Sequence, residues 1–229
     1  MSAIQKALGY LVRQDFARLW RAIAERIPSW LFRRNRANIY QLRVHGARPA
    51  DASREELPEG CVFRKVVLDD LAACAEIAGL AAEECVRRHE AGDVCYGVFF
   101  HDEPVSVAWL HFGPCYIRGM ALLLQADPSD CYVYGAVTAP SQRKRGLYKA
   151  LQNRLIGVIG DAESRTATQL FRAGNAPVMA TLPRLGYKCI AVLHHFTLLG
   201  VRRSVLRGPD GQVISRQWHY RAPVGVFRI

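Results

Sequence analysis

Hydrophobic residues recur along the chain with two different periods, and each period predicts a different kind of element. Short runs rich in β-branched and aromatic residues indicate strands, whereas apolar residues that return every three or four positions indicate helices. The strand-like runs cover residues 62–67, 94–100, 105–112, 131–138, 166–171 and 187–199. The helical runs cover residues 71–82, 146–160 and 176–185. The pattern therefore predicts alternating strands and helices.

The order of these elements predicts an α/β fold. A β-α-β-β-β-α-β-α-β sequence favours a mixed sheet covered by helices. Residues 101–104 separate two strands and predict a hairpin turn, while Asp69 and Asp70 precede the first helix and are candidates to cap it. A chain of 229 residues suits one domain with its own core and extensions at its ends.

The first residues form a distinct amphipathic pattern. Apolar residues recur at three- and four-residue steps, which predicts a helix that ends or kinks at Pro28; they are Ile4, Leu8, Leu11, Phe16, Leu19, Trp20, Ile23 and Ile27. Trp30, Leu31 and Phe32 follow, and then several arginines. This segment suits an anionic membrane surface. Packing on the core or on a second subunit is the alternative, and it is the commoner role of amphipathic helices in soluble proteins. Nonspecific contact with nucleic acid ranks lower.

Charge is concentrated at the two ends of the chain. The net charge is +11 overall, with +8 in residues 1–48, −2 in residues 49–201 and +5 in residues 202–229. The middle of the chain is therefore nearly neutral, and the basic ends are the parts that an anionic partner would meet.

The sequence shows no secretory signal pattern and no apolar run long enough to span a bilayer. Its seven cysteines are scattered without metal-type spacing, so we expect reduced core thiols, no bound metal and a cytoplasmic protein, peripheral to the inner face of the membrane if the N-terminal helix binds there.

A basic loop after the strand at 131–138 carries the strongest chemical signal. Pro140 ends the strand, Arg143, Lys144 and Arg145 follow, and Gly146 precedes the helix at 146–160. The first turn of a helix leaves backbone N–H groups unpaired, and a glycine lets a ligand approach the backbone closely. The stretch therefore predicts a phosphate-binding site.

At these residues the chain resembles the GNAT acyltransferase superfamily, whose signature is Arg/Gln-x-x-Gly-x-Gly/Ala at a strand-to-helix turn. Arg143 and Gly146 match its first two positions, and Tyr148 replaces the small third residue. Asn175 with Leu185-Gly186-Tyr187 matches a later block. The resemblance covers roughly residues 60 to 200 and implies a mostly antiparallel central sheet flanked by helices. Together with the charge distribution and the proline-containing, charged stretch before residue 61, it divides the chain into a basic helical extension (1–48), a linker (49–60), a GNAT-like domain (61–200) and a basic β extension (201–229).

The resemblance also implies acyl-CoA, first of all acetyl-CoA, as the co-substrate. Donor contacts are expected from the end of the strand, the basic loop and the later asparagine: Ala136, Val137, Thr138, Arg143, Lys144, Arg145, Gly146, Leu147, Tyr148 and Asn175. Asn175 could equally cap the helix that follows it. Leu182 stands where the family often has a tyrosine that protonates the leaving thiolate, so that general acid is in doubt.

Candidates for proton transfer are Tyr132, Tyr134 and Glu84. An ordinary tyrosine is a poor base, so the two tyrosines are expected to bind substrate or to relay a proton through water. Glu84 and Glu83 are also compatible with a solvated helix surface. His111 could face the acceptor cleft, while His194 and His195 point to opposite faces of one strand.

Together these features predict an acyltransferase that moves an acetyl or other acyl group from acyl-CoA to a primary amine in a ternary complex. The acceptor is a small molecule or is linked to a lipid or sugar, and an acyl-carrier protein remains open as the donor. Two alternatives stay open: a non-catalytic CoA-binding or regulatory module, and a membrane- or partner-binding protein that acts through its N-terminal helix.

Overall fold

The computed structural model describes residues 32–44, 57–117, 122–162, 164, 166–199, 201–220 and 225–228. The expected amphipathic helix before Pro28 lies outside these residues, as does most of the expected linker. Twelve strands are assigned within them: β1 (Phe32–Arg43), β2 (Cys61–Lys65), β3 (Val94–Phe100), β4 (Glu103–Phe112), β5 (Cys115–Ile117), β6 (Leu122–Gln125), β7 (Cys131–Thr138), β8 (Thr166–Arg172), β9 (Lys188–Leu198), β10 (Val201–Arg207), β11 (Val213–Tyr220) and β12 (Gly225–Arg228).

Four α-helices lie in the same described ranges: α1 (Leu71–Ala78), α2 (Ala82–Glu90), α3 (Leu147–Asp161) and α4 (Ala176–Thr181). A 3₁₀ turn, Leu182–Leu185, continues α4. The expected single helix at 71–82 is wrong at its C-terminal end, because Gly79 adopts a left-handed conformation that ends α1 before α2 begins.

The large sheet has nine strands in the order β11-β10-β9-β1-β8-β7-β4-β3-β2. All neighbours are antiparallel except β7 and β8, which run parallel and are joined through α3. A small second sheet has the order β12-β6-β5. The predicted fold class, a mixed and mostly antiparallel sheet flanked by helices, is confirmed.

Helices cover both faces of the large sheet, because strand residues alternate between the two faces. On β4, Ala108 and Leu110 pack with α3, whereas Val107 and Trp109 pack with α1. The second of these faces continues across β1 and β9, where a third apolar cluster contacts Ile117 of β5. The middle of the large sheet, which includes the strand before the basic loop, is therefore packed between α3 on one face and α1 on the other.

β1 corrects the expected N-terminal extension. Residues 32–43 were expected to belong to a helical segment outside the core, but they form a strand between β8 and β9. Ala37 and Ile39 are fully buried there. The sequence pattern did not predict this strand because β1 contains several arginines. Two of them, Arg34 and Arg36, are exposed in the structure.

No helix in the described part of the chain is long and apolar enough to cross a membrane. The basic C-terminal residues form β10 and β11, which extend the large sheet beyond β9. The expected domain boundaries after residues 48, 60 and 200 stay predictions.

Candidate functional site

The parallel strands β7 and β8 separate at the middle of the sheet. They pair only from Cys131 to Val133, while β7 remains paired with β4 as far as Thr138. In the described residues, the second half of β7 therefore has no strand on its β8 side. Such an edge presents backbone N–H and C=O groups that an extended ligand can pair with.

A β-bulge lies in the same half of β7. Gly135 has φ 60°, and the pairing with β4 shifts there by one residue. An added Cβ at Gly135 would lie 3.2 Å from both Arg88 Nη1 and Trp109 Cδ1, so the bulge needs glycine. The bulge also re-aims the side chains that follow: Ala136 packs towards α3, and Val137 packs towards α1.

The basic loop leads from the end of β7 to the N-terminus of α3. Gly146 adopts φ 76°, and an added Cβ would meet nothing within 4 Å. Lys144 is also left-handed, with φ 65°. No side chain of the described residues caps the start of α3, so its first-turn N–H groups are directed at an open, positively charged site.

The three basic side chains of the loop are all exposed but differ in direction. Arg143 Nε donates to the Thr138 carbonyl over 3.3 Å. Arg145 donates to Gln142 and lies over the Phe100 ring, 5.7 Å from its centroid. Arg143 therefore stays beside the open half of β7, and Arg145 leans towards β3.

Three other expected donor contacts have different environments. Leu147 is buried under the loop, and the Tyr148 hydroxyl is buried without a partner in the described residues, where burial raises its pKa above the usual range. Leu147 can therefore offer a ligand only its backbone, whereas the Tyr148 ring is half-buried. Asn175 is exposed at the start of α4 and makes no side-chain capping bond there.

Leu182, the residue that the sequence resemblance placed at a general-acid position, is fully buried in the core. No side chain at this position can therefore protonate a thiolate. The two buried hydroxyls of Tyr148 and Tyr187 lack partners within the described chain and lie on the α3 side.

Tyr132 and Tyr134 project on the opposite face and stack, with ring centroids 5.5 Å apart. Tyr132 is buried, and burial raises its pKa. The Tyr134 hydroxyl donates to Asp93 Oδ2, and Asp93 Oδ1 lies 2.5 Å from His111 Nδ1. His111 Nε2 lies 3.0 Å from the Pro114 carbonyl oxygen. These groups form one hydrogen-bonded chain beside the β7 bulge.

Glu84 lies on α2 and accepts bonds from Arg87 and Arg88. The hydrogen bond from Arg87 is the main reason that the pKa of this carboxyl is lowered. Arg88 continues to the tyrosines: its guanidinium lies 5.2 Å from the Tyr134 ring centroid and 5.6 Å from that of Trp109. Glu84 is thus ionised and orients Arg88, and its role as a proton acceptor stays an untested prediction.

The remaining histidines lie elsewhere. His195 is buried and bonds Ser204 Oγ at 2.9 Å, which fits a structural role. His194 is half-buried, and burial together with nearby arginines lowers its pKa. In the described chain all seven cysteines are free thiols, and no group of three acidic, histidine or cysteine side chains has metal-binding geometry.

Sequence reasoning missed Asp93 and Arg88, which complete the polar chain. Asp93 lies in the turn after α2, close in sequence to several other charged residues. Its partners His111 and Tyr134 are 18 and 41 residues away along the chain. In the sheet His111 pairs with Tyr132, two residues before Tyr134 on β7, and nothing in the sequence indicated this register.

The fold can be compared with known proteins. No protein-family model and no curated protein sequence matches the chain. Solved structures match it by fold: a GCN5-related N-acetyltransferase from Kribbella flavida (18% identity, TM-score 0.51, 78% of this chain and 62% of that one), and one from Sphaerobacter thermophilus (16%, 0.52, 77% and 54%). A Drosophila protein matches at 18% identity and TM-score 0.53, over 83% of this chain and 58% of that one.

These likenesses define the class of fold. The mixed sheet, the separating parallel strands and the loop before α3 belong to a fold that is similar to those of these two N-acetyltransferases. At identities below 20% the comparison shows the fold and not the substrate. The chain spans between 54% and 62% of the length of these three structures.

Proposed function

We propose that this protein transfers an acyl group, acetyl in the first instance, from acyl-CoA to a primary amine. The observation that carries the proposal is the junction of β7, which loses its β8 partner after Val133, with a basic, glycine-opened helix N-terminus. The junction offers an extended binding edge and an anion site in one continuous stretch, as a donor with a peptide-like arm and a pyrophosphate requires.

The residues present fit that donor. The open space at Gly146 admits a phosphate against the first turn of α3, and Arg143 adds charge beside the strand edge. Pairing of the pantetheine arm with residues 136–138 would place the thioester near the bulge at Gly135. Backbone N–H groups there would stabilise the oxyanion that forms when an amine attacks the thioester carbonyl.

The direct test is calorimetric titration of acetyl-CoA, CoA and dephospho-CoA into the purified chain. We expect micromolar-range binding, lost in Gly146→Glu because the carboxylate would occupy the phosphate position. Arg143→Ala should weaken binding about tenfold, which is the magnitude of one charge-assisted hydrogen bond.

Gly79→Glu is the matched control. Gly79 also has a positive φ (64°) with open space around the added Cβ, but it lies between α1 and α2. The control variant should bind acetyl-CoA like wild type although it carries similar backbone strain. Equal binding by Gly146→Glu and wild type would contradict the loop assignment. Binding without turnover of any amine would favour a non-catalytic CoA-binding module.

A further inference from the structure

We propose that Tyr134, Asp93 and His111 form the proton-accepting relay that deprotonates the acceptor amine, with Tyr134 as the group that touches the substrate. The proposal rests on the acyltransferase function above and adds to it a base that the chain supplies. Tyr134 immediately precedes the Gly135 bulge, so its side chain leaves β7 beside the place where the thioester would lie.

Hydrogen bonds connect the three side chains into one continuous chain. Tyr134 donates to Asp93 Oδ2, and the other carboxylate oxygen lies 2.5 Å from His111 Nδ1. The Asp93 side chain is only 10% exposed, whereas His111 is 27% exposed. The relay therefore begins at a sheltered phenol and ends at an imidazole that can exchange protons with water.

The partners of His111 define its protonation states. Both ring nitrogens face oxygen acceptors, since Nε2 lies 3.0 Å from the Pro114 carbonyl. In the cation both nitrogens donate to these acceptors, and in the neutral ring one of them has lost its proton. The relay requires that this nitrogen is Nδ1, with Nε2 still donating to the Pro114 carbonyl oxygen. The bond to Asp93 is the main reason that the pKa of His111 is raised above 6.5.

The proton balance of the step is complete. The acceptor ammonium gives one proton to the Tyr134 oxygen while the phenolic proton passes to Asp93 Oδ2. Rotation of the carboxyl group then presents this proton to Nδ1 of neutral His111, which takes it and leaves Asp93 ionised again. The free amine then forms the C–N bond at the thioester carbonyl, and collapse breaks the C–S bond. The thiolate takes the second nitrogen proton, giving amide and CoA thiol, and His111 releases its proton to solvent.

The surroundings of Tyr134 keep its hydroxyl protonated at rest. Tyr134 therefore passes a proton on and does not act as a permanent phenolate base. Burial and the bond to Asp93 raise the pKa of Tyr134, and the Arg88 guanidinium only partly opposes this. On β5, burial raises the pKa of the Cys115 thiol to about 12, so it stays neutral. Tyr132, across from His111 on β7, is likewise a neutral phenol, and Glu84 is paired with Arg88. The charged groups that face the relay are thus Asp93, His111 and the ion pair of Arg88 with Glu84.

The test combines donor binding, turnover and histidine NMR on the full chain. Turnover of acetyl-CoA is measured with a panel of amino acids, amino sugars and polyamines across pH 5.5–9. We expect kcat/KM to rise with pH through the His111 pKa, above 6.5. Asp93→Asn should move this limb to lower pH together with the NMR titration of His111, and it should lower kcat/KM about 100-fold.

Tyr134→Phe should lower kcat by a similar factor while the acetyl-CoA Kd from calorimetry stays unchanged. Tyr96→Phe, in β3, removes a hydroxyl outside the relay and should keep wild-type kcat. Turnover with an unshifted pH limb in Asp93→Asn, or wild-type kcat in Tyr134→Phe, overturns the relay and leaves the acyltransferase function standing. Failure of every amine despite tight acetyl-CoA binding overturns both the transferase function and the relay.

Discussion

At the scale of single residues, Asp70 shows how a side chain can stabilise a turn in a way that the sequence only partly predicts. We expected Asp69 or Asp70 to cap the helix at 71–82, but Asp70 accepts instead from the Val67 N–H, 3.0 Å away. The same carboxylate forms two bonds with the Arg64 guanidinium. It therefore ties β2 to the turn before α1.

Asp70→Asn should lower the free energy of unfolding by about 1 kcal/mol at pH 7, as loss of a partly exposed ion pair and cap does. The bond from Arg64 is the main reason that the pKa of Asp70 is lowered from 3.8. This contribution is present above pH 3.8 and is lost as the pH falls through the lower folded-state pKa. The difference from wild type should therefore vanish in urea unfolding curves measured at successively lower pH.

Asp69→Asn is the control for that measurement. Asp69 is the adjacent carboxylate and is exposed. Its replacement should leave the free energy of unfolding within about 0.5 kcal/mol of wild type. A destabilisation equal to that of Asp70→Asn would show that general charge, and not the bonds to Arg64 and Val67, is responsible.

At the scale of elements, the sequence predicted the strands and helices with clear periodicity and missed those without it. The run at 131–138 matches β7 in full, and β3 matches its predicted bounds. β5 and β6 have only three and four residues, which is too short for a period to be read. β1 is central and arginine-rich, so neither an alternating pattern nor a continuous apolar run marks it.

The same limit applies to the candidate site. The loop from Arg143 to Gly146 could be predicted because its residues are contiguous and the chemistry of a helix N-terminus is local. The chain of Tyr134, Asp93 and His111 depends on the pairing of β4 with β7 and on the position of the turn after α2. The local sequence around each of these three residues therefore could not predict that they lie close together.

The central place of β1 has a measurable energetic consequence. Ile39 is fully buried and packs with Ala191 and Leu206. Ile39→Ala should lower the free energy of unfolding by about 3 kcal/mol, the usual cost of such a truncation in a core. Ile214→Ala, on β11 where Ile214 is 58% exposed, should cost less than about 1 kcal/mol in the same denaturation assay. Equal costs would contradict the position of β1.

At the scale of the whole molecule, the basic ends and the neutral middle are not separate bodies. β1 comes from the basic N-terminal part and β10 from the basic C-terminal part, and both pair with β9. The charge boundary in the sequence therefore does not coincide with a boundary in the sheet.

Truncations should reveal this difference. Removal of residues 1–44 deletes a strand from the middle of the sheet, and we expect loss of cooperative thermal unfolding and of acetyl-CoA binding. Removal of residues 1–31 leaves β1 intact and should preserve both to a much greater extent. Calorimetry and circular dichroism of the two purified chains test the expectation. A cooperatively folded chain lacking residues 1–44 would contradict the central position of β1.

The pairing of β1 also sets the order in which the protein can fold. Ala37 is matched with Arg172 and with Leu193, partners that a ribosome makes more than a hundred residues later. Until then the first strand has no edge to join, and the nascent chain holds an unpaired β segment throughout most of its synthesis. Such long-range closure slows folding. β1 joins the two halves of the large sheet, and this joining requires that both β8 and β9 have been made.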